Sequence, residues 1–225
     1  MVFMELVKMF SKFLSLEPER KNAILNAALR EFTNKGFDDA STNVIAKKSG
    51  ISKPLMFHYV NNKKDFFLFL YDYCLEILQT EYFDKVNLDE RDLFERLRQT
   101  SLLKIKVIQK YPWIFDFVRV AVLTESEAVK TELLERRKKV ENSSLEKFYS
   151  DLDVSRFRDN LDIEKAKQLI FWAVGGYAEQ VLDRIKGSKL ENINFKGIQN
   201  EFDEYLNELR KVYYKCLEGE VDECN

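Results

Sequence analysis

The chain has 225 residues, of which 45% are hydrophobic and 33% charged, and its net charge is −2. This length allows one large globular domain or two small ones, and the low counts of proline and glycine, three and seven, favour helices. No strictly alternating run bounded by turn residues predicts a strand, and the longest apolar stretch, Ile170 to Ala178, is far short of a membrane span. We therefore predict an all-α protein that does not enter a membrane.

The N-terminal residues 1–17 are apolar but broken by charges, and they lack the apolar centre and cleavage site of a secretory signal. Phe3, Leu6, Phe10 and Phe13 recur at helical spacing, which predicts an extra amphipathic helix. A disordered leader is the alternative.

The three cysteines, Cys74, Cys216 and Cys224, are widely spaced and form no CxxC pair. This pattern predicts neither a zinc site nor a disulfide framework, and it is typical of a reducing compartment. We expect a cytoplasmic protein in which Cys74 is a small core residue.

Helix start and stop signals divide the chain into nine further helices. Ser41, Ser52 and Asp162 are predicted N-caps, Asn62 with Asp65 resembles a capping box, and Thr124 with Glu127 matches one. The predicted helices cover about 18–35, 42–49, 53–60, 63–83, 89–111, 113–123, 125–149, 163–186 and 195–217. We predict a leader or extra helix over 1–17, a small domain of three helices over 18–64, and a larger helical domain over 65–225.

Positive charge is concentrated in the first third of the chain. Residues 1–67 hold 11 Lys and Arg against 7 Asp and Glu, whereas the remainder holds 25 against 31. Between Ala40 and Lys64 there are five lysines and no acidic residue. A local basic patch of this kind is what contact with phosphate requires.

The basic stretch reads as two short helices joined at Gly50, which is the build of a helix-turn-helix. The second helix of such a pair enters the major groove, and helix ends hold phosphates. We predict that Lys53, Leu55 and His58 face outward while Met56 and Val60 face inward. The alternative is that the hydroxyls are only caps and the lysines only a solvated face.

The stretch from Gly36 to Lys63 resembles the TetR family of transcriptional regulators. The resemblance rests on Gly36-Phe37, Ile45-Ala46, Gly50-Ile51-Ser52-Lys53, Phe57-His58-Tyr59 and Lys63. It implies phosphate contacts by Ser41, Thr42, Tyr59 and Lys63, and base-facing roles for Lys53, Leu55 and His58. Pro54 stands where the family has glycine, and Phe57 stands where it has tyrosine. The predicted DNA-binding set is Ser41, Thr42, Ser52, Lys53, Leu55, Phe57, His58, Tyr59 and Lys63.

The last two predicted helices carry wide apolar stripes that could form a four-helix dimer interface, as the resemblance implies. The alternative is that both stripes pack inside the monomer. The predicted interface residues are Ile170, Tyr177, Val181, Phe202, Tyr205, Leu209 and Val212.

Aromatic residues crowd the middle of the chain, where most are expected to be core. A pocket for a small apolar or aromatic effector is the sharper interpretation, and the resemblance favours it. Its candidate lining is Phe67, Tyr71, Cys74, Trp113, Phe117, Phe148, Trp172 and Tyr177.

The predicted function is that of a homodimeric repressor, released from double-stranded operator DNA by the effector. The alternative is a helical ligand-binding protein or enzyme that does not bind an operator. No nucleophile–base pair, phosphate loop or metal cluster favours an enzyme, and His58 is the only histidine. We predict no cofactor, no metal and no catalytic residue.

Overall fold

A computed structural model describes residues 10–140, 148–185, 188 and 190–215, and these residues form helices without a strand. Helix is the consequence of the sparse Gly and Pro and the apolar spacing of three and four. The α-helices are α1 (Ser11–Leu14), α2 (Pro18–Asp39), α3 (Thr42–Lys48), α4 (Lys53–Val60), α5 (Lys63–Glu81), α6 (Leu93–Lys110), α7 (Ile114–Val122), α8 (Lys130–Val140), α9 (Ile163–Ile185) and α10 (Phe195–Tyr213). None of them, within the described ranges, is long and apolar enough to cross a membrane.

The chain divides into two compact units. The first takes its described residues from 1–84 and 110–144 and contains α1–α5, α7 and α8. The second takes them from 85–109 and 145–225 and contains nearly all of α6 together with α9 and α10. The domain boundary that the sequence predicts after residue 64 lies inside the first unit. The functional division on which that boundary is based stays a prediction.

Four helices begin where the sequence predicts them, because a short polar side chain satisfies an otherwise unpaired N–H in the first turn. Ser41 Oγ accepts from Val44 at 3.5 Å, and Ser52 Oγ accepts from Leu55 at 3.3 Å. Asn62 Oδ1 accepts from the Asp65 N–H at 2.8 Å, and Asp162 Oδ1 accepts from Lys165 at 3.2 Å. These caps fix the entry points of α3, α4, α5 and α9.

Two predicted helix starts are wrong. The helical stretch that the sequence predicts to stop before Gly36 is interrupted there, since Gly36 has a φ of 68° that favours glycine, and a further turn of α2 runs to Asp39. The box at Thr124 does not start a helix, since Thr124 closes a short turn on Ser126 and α8 begins at Lys130. Helix α6 begins at Leu93 rather than Asp89.

Asp92 is the reason for the late start of α6. Its carboxylate accepts the N–H groups of Phe94 and Glu95 at 2.9 and 3.1 Å, which caps the first turn. Arg210 and Arg156 also bind this carboxylate, so the second unit holds the cap in place from two sides.

The predicted helix over 125–149 is described only in part, because residues 141–147 lie outside the described ranges.

Helix α1 is a packed part of the first unit. Phe10 and Phe13 are fully buried, and the Phe10 ring stacks on Phe69 with centroids 4.2 Å apart. Phe13 meets Phe66 and Phe69 edge-on at 6.1 and 5.6 Å. The predicted amphipathic helix is therefore correct for residues 11–14, whereas Phe3 and Leu6 lie outside the described residues.

Candidate nucleic-acid interface

Helices α3 and α4 form the predicted helix-turn-helix. Gly50 has a φ of 70° at the turn, and the Ile51 N–H donates to Ala46 O at 3.1 Å, closing α3. Only glycine adopts this backbone conformation at little cost. The turn therefore follows directly from the residue that the sequence places there.

Helix α4 presents the predicted faces. Met56 and Val60 are buried at 0% and 1% exposure, whereas Lys53 and His58 are exposed. Leu55, predicted to face outward, is half-buried. Since one face is buried and the opposite face is free, α4 is able to enter a groove with Lys53 and His58 leading.

The remaining predicted DNA-contact residues lie around α4. Lys53 Nζ is 5.9 Å from the centre of the Phe57 ring, so this phenylalanine offers a face where a tyrosine would offer a hydroxyl. Ser52 is exposed, and the other members of the set that flank it are half-buried, namely Ser41, Thr42, Phe57, Tyr59 and Lys63.

Lys63 is tethered without losing its charge. Its ammonium donates to the backbone oxygen of Asp38 at 2.8 Å and lies 4.9 Å from the Phe37 ring centre. A lysine ammonium has three donors, so two remain for a phosphate. This bond also holds the start of α5 against the end of α2.

Two other lysines of the basic stretch are paired with acids, which the sequence analysis missed. Lys48 Nζ donates to Glu31 Oε2 at 3.4 Å, and the Glu31 side chain is only 8% exposed. Lys64 pairs with Glu132 of α8. The hydrogen bond from Lys64 holds the pKa of Glu132 below its ordinary value. The sequence does contain a signal for this role of Glu31, because Glu31 is a charged residue on the apolar face of α2, four residues after Ala27.

Helix α8 and the turn before it are bound to α5 and α2. Arg136 Nε donates to both carboxylate oxygens of Asp72 at 3.1 and 3.0 Å, with both side chains 13% exposed. Ser126 Oγ donates to Asp38 Oδ1 at 2.8 Å. Asp38 therefore receives Lys63 on its backbone and Ser126 on its side chain, which links the turn to the lysine at the start of α5.

The candidate effector residues are divided between the units. The first unit holds Phe67, Tyr71, Cys74, Trp113 and Phe117, and all but Trp113 are buried in packed core. The second unit holds Phe148, Trp172 and Tyr177, of which Trp172 is 62% exposed. Burial raises the pKa of the Cys74 thiol, as expected for a core cysteine.

A cleft of about 280 Å³ lies in the second unit between α6 and α10. Phe94 and Leu206 contribute apolar surface, and four charged side chains surround them, namely Glu95, Arg98, Asp203 and Arg210. It contains none of the candidate effector residues. Its polar rim differs from the apolar lining that the sequence predicts.

The candidate dimer residues fall on two faces of the second unit. Tyr205 and Val212 are exposed at 53% and 59%. Ile170 and Phe202 lie in the core instead, at 0% and 5% exposure, because α9 and α10 pack on each other through them. The other three residues, Tyr177, Val181 and Leu209, are half-buried.

Tyr177 is held within the subunit. Its hydroxyl donates to Ile198 O at 2.9 Å and lies 3.2 Å from Glu201 Oε2, and burial raises its pKa to about 12.

Gly175 and Gly176 follow Trp172 by about one turn, and a Cβ at either would meet nothing within 4 Å. The face of α9 around them is therefore open in the described chain.

The sequence of the helix-turn-helix is similar to that of a known protein family. Residues 24–69 match the model of a family described as bacterial regulatory proteins, tetR family. These proteins are regulators rather than enzymes. A comparison with curated protein sequences finds no relative.

Solved structures of similar fold cover nearly the whole chain. A TetR family transcriptional regulator from Chloroflexus aurantiacus has a TM-score of 0.62 at 16% identity, over 92% of this chain and 98% of its own. The ketosteroid regulator KstR2 of Mycobacterium tuberculosis has 0.61 at 17%, over 90% and 98%. AibR, solved with isovaleryl coenzyme A and operator DNA, has 0.56 at 18%, over 83% and 97%. At these identities the likeness establishes the fold.

Proposed function

We propose that the protein is a cytoplasmic, homodimeric repressor of transcription, because residues 24–69 match the model of the family described as bacterial regulatory proteins, tetR family. A small apolar effector releases it from double-stranded operator DNA. The observation that carries DNA binding is the orientation of α4, with Met56 and Val60 buried and Lys53 and His58 exposed. A residue that reads bases must be exposed on a helix whose other face is fixed.

The predicted contacts divide into two groups. Ser41, Thr42, Tyr59 and Lys63 hold phosphates and set the register, while Lys53, Leu55 and His58 meet base edges. The basic stretch contains no arginine, so guanine is met by a single ammonium rather than a bidentate fork. Shape of the operator should consequently contribute to specificity.

Salt dependence of DNA binding tests this proposal. We expect Lys63→Ala to weaken binding to all duplexes alike and to reduce the slope of log K against log salt by about 0.9 per subunit. Lys138→Ala, which removes an exposed charge from α8, is the control and should leave the slope unchanged. Equal slopes for wild type and Lys63→Ala would refute the phosphate role.

The proposed dimer forms through the exposed side of α9 and α10. Trp172, Tyr205 and Val212 leave more than half of each side chain accessible, and the open glycine face lies beside Trp172 on α9. A two-fold pair of helix-turn-helix units doubles the DNA footprint, which specificity requires. We expect a dimer in light scattering, and a monomer for Tyr205→Glu with Val212→Glu. Asn200→Glu on α10 is the control.

The proposed effector is small and apolar, an acyl or steroid compound being the first class to test. The support for this class is the compounds named for KstR2 and AibR. Helix α5 begins at the tethered Lys63 and continues into buried aromatics such as Phe67 and Tyr71. A ligand that moves α5 therefore moves the DNA-contact residues attached to it.

Linkage provides the test of the effector. Fatty acids, their coenzyme A thioesters and steroids are screened by thermal shift, and any ligand found is titrated with and without operator duplex. Operator should weaken ligand binding by the same factor by which ligand weakens operator binding, roughly 5- to 150-fold. Equal ligand affinity in both titrations would show that ligand and DNA are not coupled.

A further inference from the structure

Some lysines of the basic stretch are paired with carboxylates of the protein and are therefore not available to DNA phosphates. Two of its five lysines, Lys48 and Lys64, point their ammonium groups at carboxylates of the same unit, Glu31 and Glu132. Lys63 contacts a neutral carbonyl and an aromatic ring, and Lys47 and Lys53 are exposed. A lysine already paired with a carboxylate releases no counterion when a phosphate approaches, unless that pair breaks.

Glu31 is built into the helix-turn-helix. Its Oε1 accepts the Ser41 N–H at 3.3 Å, and its Oε2 accepts from Lys48. Ser41 and Lys48 are seven residues apart, close to two helical turns, so they share a face of α3. A single buried carboxylate thus holds both ends of α3 to α2.

We propose that Glu31 and Glu132 limit the affinity of the chain for DNA by neutralising Lys48 and Lys64. Non-specific affinity depends almost wholly on the number of phosphates that lysines neutralise. Withholding two charges weakens attachment to any duplex, while the base contacts of α4 are unchanged. Affinity for operator and non-operator duplexes therefore falls alike, and the salt slope is shallower than it would be with Lys48 and Lys64 unpaired. This inference rests on the proposed DNA-binding function.

The pair at Glu31 allows a clean substitution. Glu31→Gln retains an amide oxygen for the Ser41 N–H but gives up the charge that holds Lys48. We expect this variant to bind random-sequence duplex more tightly, with a salt slope steeper by about 0.9 per subunit. Affinity for the duplex that wild type selects from a random pool should rise by a similar factor, because the base contacts of α4 are unchanged.

Two further variants separate this effect from a change of overall charge or stability. Glu135→Gln, at an exposed position on α8, alters the net charge equally, and its slope should match wild type. Adding Lys48→Gln to Glu31→Gln should restore the wild-type slope. If Glu31→Gln unfolds, Glu132→Gln with and without Lys64→Gln makes the same comparison.

The results distinguish failure of the proposed DNA-binding function from failure of the role given to Glu31 and Glu132. A wild-type chain that shows no salt-dependent DNA binding refutes the proposed function. A wild-type chain that binds DNA, with Glu31→Gln and Glu132→Gln giving the same slope as Glu135→Gln, refutes only the role of the two acids. Weaker binding to every duplex by a folded Glu31→Gln also refutes it and leaves Glu31 as a structural residue.

Discussion

Removing the side chain of Phe13 tests whether helix α1 is packed into the first unit. Phe13 is fully buried and meets two other phenylalanine rings, Phe66 and Phe69, across α1 and α5. Truncating a buried phenylalanine to alanine costs about 3–5 kcal/mol, because apolar area is re-exposed and a cavity remains. A domain is stabilised by only about 5–15 kcal/mol in total, so Phe13→Ala should lower the urea midpoint strongly.

The assay must report the first unit alone. The chain has two tryptophans, Trp113 in the first unit and Trp172 in the second, and a Trp172→Phe background leaves Trp113 as the reporter. Lys12→Ala, an exposed position on the same helix, is the control and should change stability by less than about 0.5 kcal/mol. A Phe13→Ala chain as stable as this control would show that α1 is not packed against α5 in solution.

Three further outcomes follow from particular side chains. Arg96 donates to the carbonyls of Leu88, Glu90, Phe148 and Ser150, so Arg96→Met should cost about 3 kcal/mol or more in urea unfolding, and Arg96→Lys should not restore it. Cys74, in a chain with Cys216→Ser and Cys224→Ser, should resist iodoacetamide until denaturant is added, because burial raises its thiol pKa. Folding lowers the pKa of Glu132, so its pair with Lys64 stabilises the folded chain at neutral pH. That contribution is lost as pH falls through the pKa of Glu132 in the folded state. On acidification, the melting temperature of Glu132→Gln should therefore fall less than that of wild type.

Local signals in the sequence predicted the recognition unit well. The hydroxyl and amide caps at Ser41, Ser52 and Asn62, the turn at Gly50, and the inward faces of Met56 and Val60 are each decided by a few neighbouring residues. Local capping signals failed where tertiary contacts compete. Thr124 has the right partner spacing for a capping box, yet Ser126 is drawn to Asp38 and the helix starts later.

Apolar stripes located helices but did not say which neighbour each side chain meets. Ile170 and Phe202 fit the predicted dimer stripe, yet they are core residues of the second unit, whereas Tyr205 and Val212 of α10 are exposed. A wide stripe contains both kinds of position, and periodicity alone does not separate them. Aromatic composition likewise indicated a pocket, whereas Phe67, Cys74 and Phe117 are tightly packed.

The sequence alone determined the all-helical class, the helix-turn-helix and the concentration of positive charge, because these depend on residues within a few positions of one another. Only the tertiary structure decided which of those charges are free. Glu31 reaches Lys48 across 17 residues, and Glu132 reaches Lys64 from a helix that follows much later in the chain. Charge counts are additive along a sequence, but the attraction that a phosphate experiences depends on which charges are already paired in space.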